Sequence, residues 1–190
     1  MELKKTIQAM QKLGGNVIKE GRGILRKKKK QTKSNTLYND FDYLVTSKKD
    51  SVTLEFEFGG AEDYWAFVDE GVRGAGGYKG SGKMRGGQSN FRFGSGKYKG
   101  SWKNFTASIK SWIANKPLRL RDSSGRFMKK NKQNINSATF LIQRAIYQRG
   151  LTRTQFFSKP FSEQLNKQEN KIVQAFADDL EIELEKTLKE

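Results

Sequence analysis

Neither cysteine nor histidine occurs in this chain. Without cysteine there is no disulfide framework and no thiol nucleophile. Without histidine as well, Cys/His zinc sites, Ser-His-Asp triads and Cys-His dyads are excluded. The usual proton shuttle at neutral pH is missing too. Acid–base chemistry would have to come from carboxylates or a Ser-Lys pair, and the expectation is that the chain is not an enzyme. No catalytic residue, cofactor or metal site is assigned. No run of 18 apolar residues offers a membrane span, and the N-terminus lacks the apolar core of a secretory signal. The expected setting is therefore a reducing cytoplasm with no membrane partner. Apolar residues make up 35% of the 190, which is lean but sufficient for one domain with a core. The 30% of charged residues predict long polar surfaces or segments that need a partner.

Acid is missing locally as well. From Gly71 to Arg121 there is no Asp or Glu, and the first thirty residues of that stretch hold eleven glycines. Tyr78, Phe91, Phe93, Tyr98, Trp102, Phe105 and Trp112 are scattered through it. The net charge of +17 is correspondingly uneven. Residues 1–70 carry 13 Lys/Arg against 11 Asp/Glu, residues 71–162 carry 20 against Asp122 alone, and residues 163–190 carry four against eight. Such a block attracts polyanions, either nucleic acid or an acidic protein face; the plain alternative is a solvated basic surface. The bases of the glycine-rich loop, Arg73, Lys79, Lys83, Arg85, Arg92, Lys97 and Lys99, are the candidate contacts to a partner or to DNA. Lysine and arginine neutralise phosphates, and rings stack on exposed bases. A glycine-rich loop with aromatics also serves as a docking arm that orders against a neighbouring protein, and that is the preferred reading.

The flanks are more regular. Leu3, Ile7, Met10, Val17, Ile18 and Ile24 keep helical spacing over residues 2–30, with a break expected near Gly21. Val52, Leu54, Phe56 and Phe58 alternate with Thr53, Glu55 and Glu57, which predicts a half-buried strand paired as a hairpin with residues 41–46. Ala61 to Gly71 reads as a short helix, residues 104–115 and 136–149 as amphipathic helices, and Asp122-Ser123-Ser124-Gly125 as a turn. Thr152 to Phe157 is a candidate strand. Ser162 is the expected N-cap of a last helix running to about Leu188, with Leu165, Ile172, Val173, Phe176, Ala177, Leu180, Leu184 and Leu188 as its apolar stripe. The fold class is α+β: a small twisted antiparallel sheet, the hairpin at about 41–58, packed by long N- and C-terminal helices. It forms a single domain over 1–190, with an extended basic glycine-rich loop at about 72–103.

Two further patterns test the enzyme reading. Gly77 to Lys83 meets the spacing of a phosphate-binding P-loop, but Met84 stands where the magnesium-binding hydroxyl belongs. Glu55 and Glu57, near Lys48 and Lys49, could belong to a metal-dependent nuclease. Outward residues of a half-exposed strand explain them better. Glu62, Asp63, Asp69 and Glu70 flank the short helix and are expected to be solvated or salt-bridged.

Several pieces in order resemble the tail-completion, or head–tail joining, proteins of tailed bacteriophages. They are the long N-terminal helix with its basic end, Thr36 and Leu37 before the hairpin, then Tyr64, Ala66, Val68, Glu70 and Gly71 after it, and Phe157, Pro160 and Phe161 before the last helix. Asp122, Gly125, Arg126 and Phe127 resemble a segment of similar phage virion proteins. The resemblance implies a non-enzymatic structural subunit of the virion neck, assembled in the host cytoplasm as a homo-oligomeric ring of six or twelve copies. It would bind portal or adaptor proteins on one side and tail proteins on the other, with packaged DNA in the channel as a further candidate partner. The alternative is a free, non-specific nucleic-acid-binding module that uses the basic 71–162 region.

Overall fold

The computed structural model describes residues 3–28, 36–48, 50–76, 89–94, 102–115, 121–129 and 131–188. The fold is α+β. In order it runs α1 (Lys4–Lys27), a short α2 (Thr36–Asn39), β1 (Asp42–Lys48), β2 (Ser51–Glu57), a 3-10 turn at Gly59–Ala61, α3 (Trp65–Glu70), β3 (Val72–Arg73), α4 (Trp102–Asn115), α5 (Lys132–Arg149), β4 (Gly150–Leu151) and α6 (Ser158–Thr187). The sequence reads as one domain with a loop. The chain gathers into two compact units: a frame made of residues 1–69 and 154–190, and an insert made of residues 70–153. The junctions fall at the end of α3 and just after β4, where no Pro/Gly-rich linker marks them.

In the frame, β1 and β2 pair antiparallel from Asp42↔Glu57 to Lys48↔Ser51. Tyr43, Val45, Leu54 and Phe56 lie on the inner face, while Glu55 and Glu57 point outward and are exposed, as expected. Leu13, Val17, Ile18 and Leu25 of α1 build the core with Leu37, Phe41, Phe58, Ala61 and Phe156. Phe41 stacks on Phe58 at 5.2 Å and meets Phe156 edge-on at 5.3 Å, and Phe58 stacks on Trp65 at 4.3 Å. Such ring pairs add to what burial alone contributes.

Helix α1 is continuous through Gly21, where the sequence predicts a break. The glycine is there for closeness: a Cβ at Gly21 would lie 2.6 Å from the Phe156 carbonyl oxygen and 2.7 Å from the Phe41 ring. Lost helix propensity, about 1 kcal/mol relative to Ala, is offset by the packing it permits.

Both long helices begin without a cap of their own, and each borrows one. Asp179 of α6 accepts hydrogen bonds from the Thr6 amide and hydroxyl, both at 2.8 Å, and from the Lys5 amide at 3.1 Å. This satisfies the orphan donors of the first turn of α1 and fixes the two helices antiparallel. At their other end Gln164 donates to Glu20 at 2.6 Å. Asp69 of α3, buried at 2% exposure, accepts from the Phe157 amide at 2.8 Å and the Ser158 amide at 3.3 Å. The expectation of a solvated Asp69 is corrected: its carboxylate caps a helix 88 residues away. The expected cap at Ser162 is likewise corrected. Helix α6 starts at Ser158 and holds Pro160 in its first turn, where a missing amide costs nothing. Residues 152–157 are not a strand; β4 covers only Gly150 and Leu151, and Gln155 takes a positive φ of 53° on the way into α6.

Burial alone would raise the Asp179 pKa. The Thr6 amide and hydroxyl, the Lys5 amide and the Lys5 charge outweigh it and hold the carboxyl below its ordinary 3.8. A carboxylate with a depressed native pKa stabilises the fold above its unfolded pKa, and that contribution disappears as pH falls through the native value. Urea unfolding of the full chain should show this contribution as flat above about pH 5, falling through 3.8 and still falling below it. Asp179→Asn should flatten that part of the slope. At neutral pH, Asp69→Ala and Asp179→Ala are each expected to destabilise by about 1–3 kcal/mol in the same assay. Glu163→Ala, which breaks only the exposed 3.8 Å pair with Lys159, should stay within about 0.5 kcal/mol of the parent.

Candidate polyanion interface on the insert

The insert is built on a small ladder. Val72 pairs with Leu151 and Arg73 with Gly150, antiparallel. On the other side of β3, Arg73 forms a parallel bridge with Arg92: its amide donates to the Phe91 carbonyl at 2.8 Å, and the Phe93 amide donates back to the Arg73 carbonyl at 2.9 Å. The buried Ser89 hydroxyl donates to the Gly71 carbonyl at 2.7 Å and tethers the start of that segment. Gly150 is required where it stands. Its φ is +87°, and a Cβ would fall on the Val72 carbonyl. It also terminates α5, its amide donating to the Ile146 carbonyl, where the sequence ends the helix at residue 149.

Helices α4 and α5 pack beside each other; Ile113, Thr139 and Gln143 are buried in them, and the Gln143 amide donates to the Thr106 hydroxyl at 2.9 Å. Asn131 caps α5 by accepting from the Asn134 amide at 2.7 Å, so the helix begins at Lys132 rather than Asn136. Phe93 stacks on Phe105 at 6.2 Å, and Trp102 meets Phe105 and Tyr147 edge-on at 5.8 and 5.5 Å. This aromatic group lies against the segment that carries Arg92, and Trp102 remains 55% exposed.

Two of the seven candidate bases are therefore brought together. Arg73 and Arg92 are bridge partners on one face of the ladder, and both are exposed. Like charges side by side in a ladder are destabilising unless something negative meets them. Arg92 also donates to the Ala75 carbonyl at 3.1 Å, which fixes its direction. Lys79, Lys83, Arg85, Lys97 and Lys99 lie outside the described residues, as does the P-loop look-alike from Gly77 to Met84.

The insert cannot neutralise itself. It has 19 Lys/Arg against Glu70 and Asp122, whereas the frame balances 18 against 18. Asp122 is committed to its own turn, where it accepts from the Ser124 and Arg126 amides at 2.9 Å each. On the same turn Arg121 lies 4.1 Å over the Phe127 ring and donates to the Gly125 carbonyl at 2.8 Å. Among the described residues no group of three acids is placed to hold a metal ion, and no helix is long and apolar enough to cross a membrane. No protein-family model, curated protein or solved structure matches the chain.

Charge reversal at the bridge is a direct test. With a short duplex DNA followed by fluorescence anisotropy over a salt series, Arg73→Glu with Arg92→Glu should reduce the log–log salt slope by about two, near 0.9 for each phosphate that is no longer neutralised. The far-UV spectrum should stay that of the parent.

Proposed function

We propose that this chain is a structural subunit of the neck of a tailed-phage virion, a ring protein that joins the portal-side connector to the tail. The observation that carries the reading is the division of charge. A neutral frame carries an insert with all of the net +17. A subunit of that kind has one part that must be met by negative charge, from an acidic neighbour or from DNA in a channel, and one part free of that demand. Two segments that carry the family resemblance also meet in the frame. Asp69, next in sequence to Glu70 and Gly71, caps the helix that follows Phe157 and holds Pro160 and Phe161.

The bridged pair Arg73 and Arg92 favours a second reading, a free module that binds nucleic acid through phosphate contacts. Light scattering on the purified chain, alone and with neck partners of the virion, separates the two. A discrete ring, or one that forms only with those partners, is expected, with residues 72–100 gaining protease protection on assembly. A clean monomer that ignores the partners and binds duplex DNA tightly at about 150 mM salt would replace the neck reading with the second.

A further inference from the structure

Helix α6 has two apolar faces, and only one is used inside the frame. Phe161, Leu165 and Ile172 pack on the core, and on the same side Gln164 and Asp179 are buried in their bonds to α1. Val173, Phe176, Leu180, Leu184 and Leu188 form a second stripe, each residue three or four from the last, so they share one side of the helix. They are 62, 38, 37, 64 and 86% exposed. In the sequence they belong to the apolar stripe of the last helix. A stripe this long on an exposed helix is the mark of a helix-binding partner.

The charges around the stripe choose among partners. Asp178 is paired with Lys5 and Asp179 is buried against α1; over the same turns as the stripe the helix also carries Glu181, Glu183 and Glu185 against Lys186. Two copies of this face laid together would set acid against acid. A basic apolar surface suits it, and the chain itself contains one. Helices α4 and α5 contain no acid and carry Lys103, Lys110, Lys132, Arg144 and Arg149. Trp112, Phe140 and Leu141 on them are 44, 59 and 62% exposed.

We propose that the outer stripe of α6 seats on the α4–α5 face of a second copy of this chain. The two surfaces differ, so the contact is head-to-tail and repeats until a ring closes. The inference rests on the reading of the chain as an assembling subunit and is independent of what that assembly belongs to.

The test uses the full chain and two variants whose changes lie at exposed positions. One is Leu180→Asp with Leu184→Asp; the other is Phe140→Asp with Leu141→Asp. The parent should form a discrete multiple of the chain mass in light scattering at low salt, and added salt should weaken it. Each variant alone should be a monomer with the parent's far-UV spectrum. An equimolar mixture should give a one-to-one dimer and nothing larger, because one good stripe and one good face remain to meet. A monomeric parent at every concentration would overturn the proposal, as would a Phe140/Leu141 variant that still assembles or a mixture that stays monomeric. An assembly with these properties that ignores virion neck partners would sink the neck reading and leave this contact standing.

Discussion

The frame depends on one buried carboxylate. Asp69 closes the gap left by an 84-residue insertion, residues 70–153, by bonding to the amides that open α6. The backbone carries the join further. The Gln155 amide donates to the Asp69 carbonyl at 2.9 Å, and the Thr154 hydroxyl donates to the Val68 carbonyl at 2.7 Å. These bonds set where α6 starts. That start places Phe156 and Phe157 against Phe41 and Phe58, and the direction of α6 then brings Asp179 to the first turn of α1. Two borrowed caps, one at each helix start, thus fix the register of the whole frame. A buried carboxylate is costly unless its oxygens are satisfied, so each cap is specific as well as stabilising.

The parts legible in the sequence are those whose cause is local. Val52 to Phe58 alternates because one face of a strand is wet, and the structure has that strand. Asp122 to Gly125 is a turn because a side-chain oxygen reaches amides two and four residues on. The caps were illegible because Asp69 and Asp179 act 88 and 173 residues from their own positions, while a reader of sequence looks for a cap next to the helix it serves. Ser162 is a good cap by type in the wrong place. Gly21 looks like a helix breaker because its reason, the nearness of Phe41 and Phe156, belongs to tertiary packing.

The stripe of α6 shows a different limit of the sequence. Periodicity identifies an apolar face but does not say what covers it. Gln164, Gln168 and Asp179 are the buried polar residues of that helix, and the better apolar face is left outside. In the insert, composition points to the basic loop, and Arg73 and Arg92 come from it. Their pairing requires knowing that residues 91–93 return to lie beside β3.

The frame is also discontinuous in the chain, while the insert is one continuous run. A growing polypeptide makes α1 and the hairpin first, then the entire insert, and Phe156 and α6 last. The core around Phe41 and Phe58 cannot close until residues beyond 154 have left the ribosome. For most of its synthesis, then, the nascent protein presents an open aromatic surface that chaperones or stray partners can reach. A chain cut short before Ser158 would contain the whole insert and no finished frame.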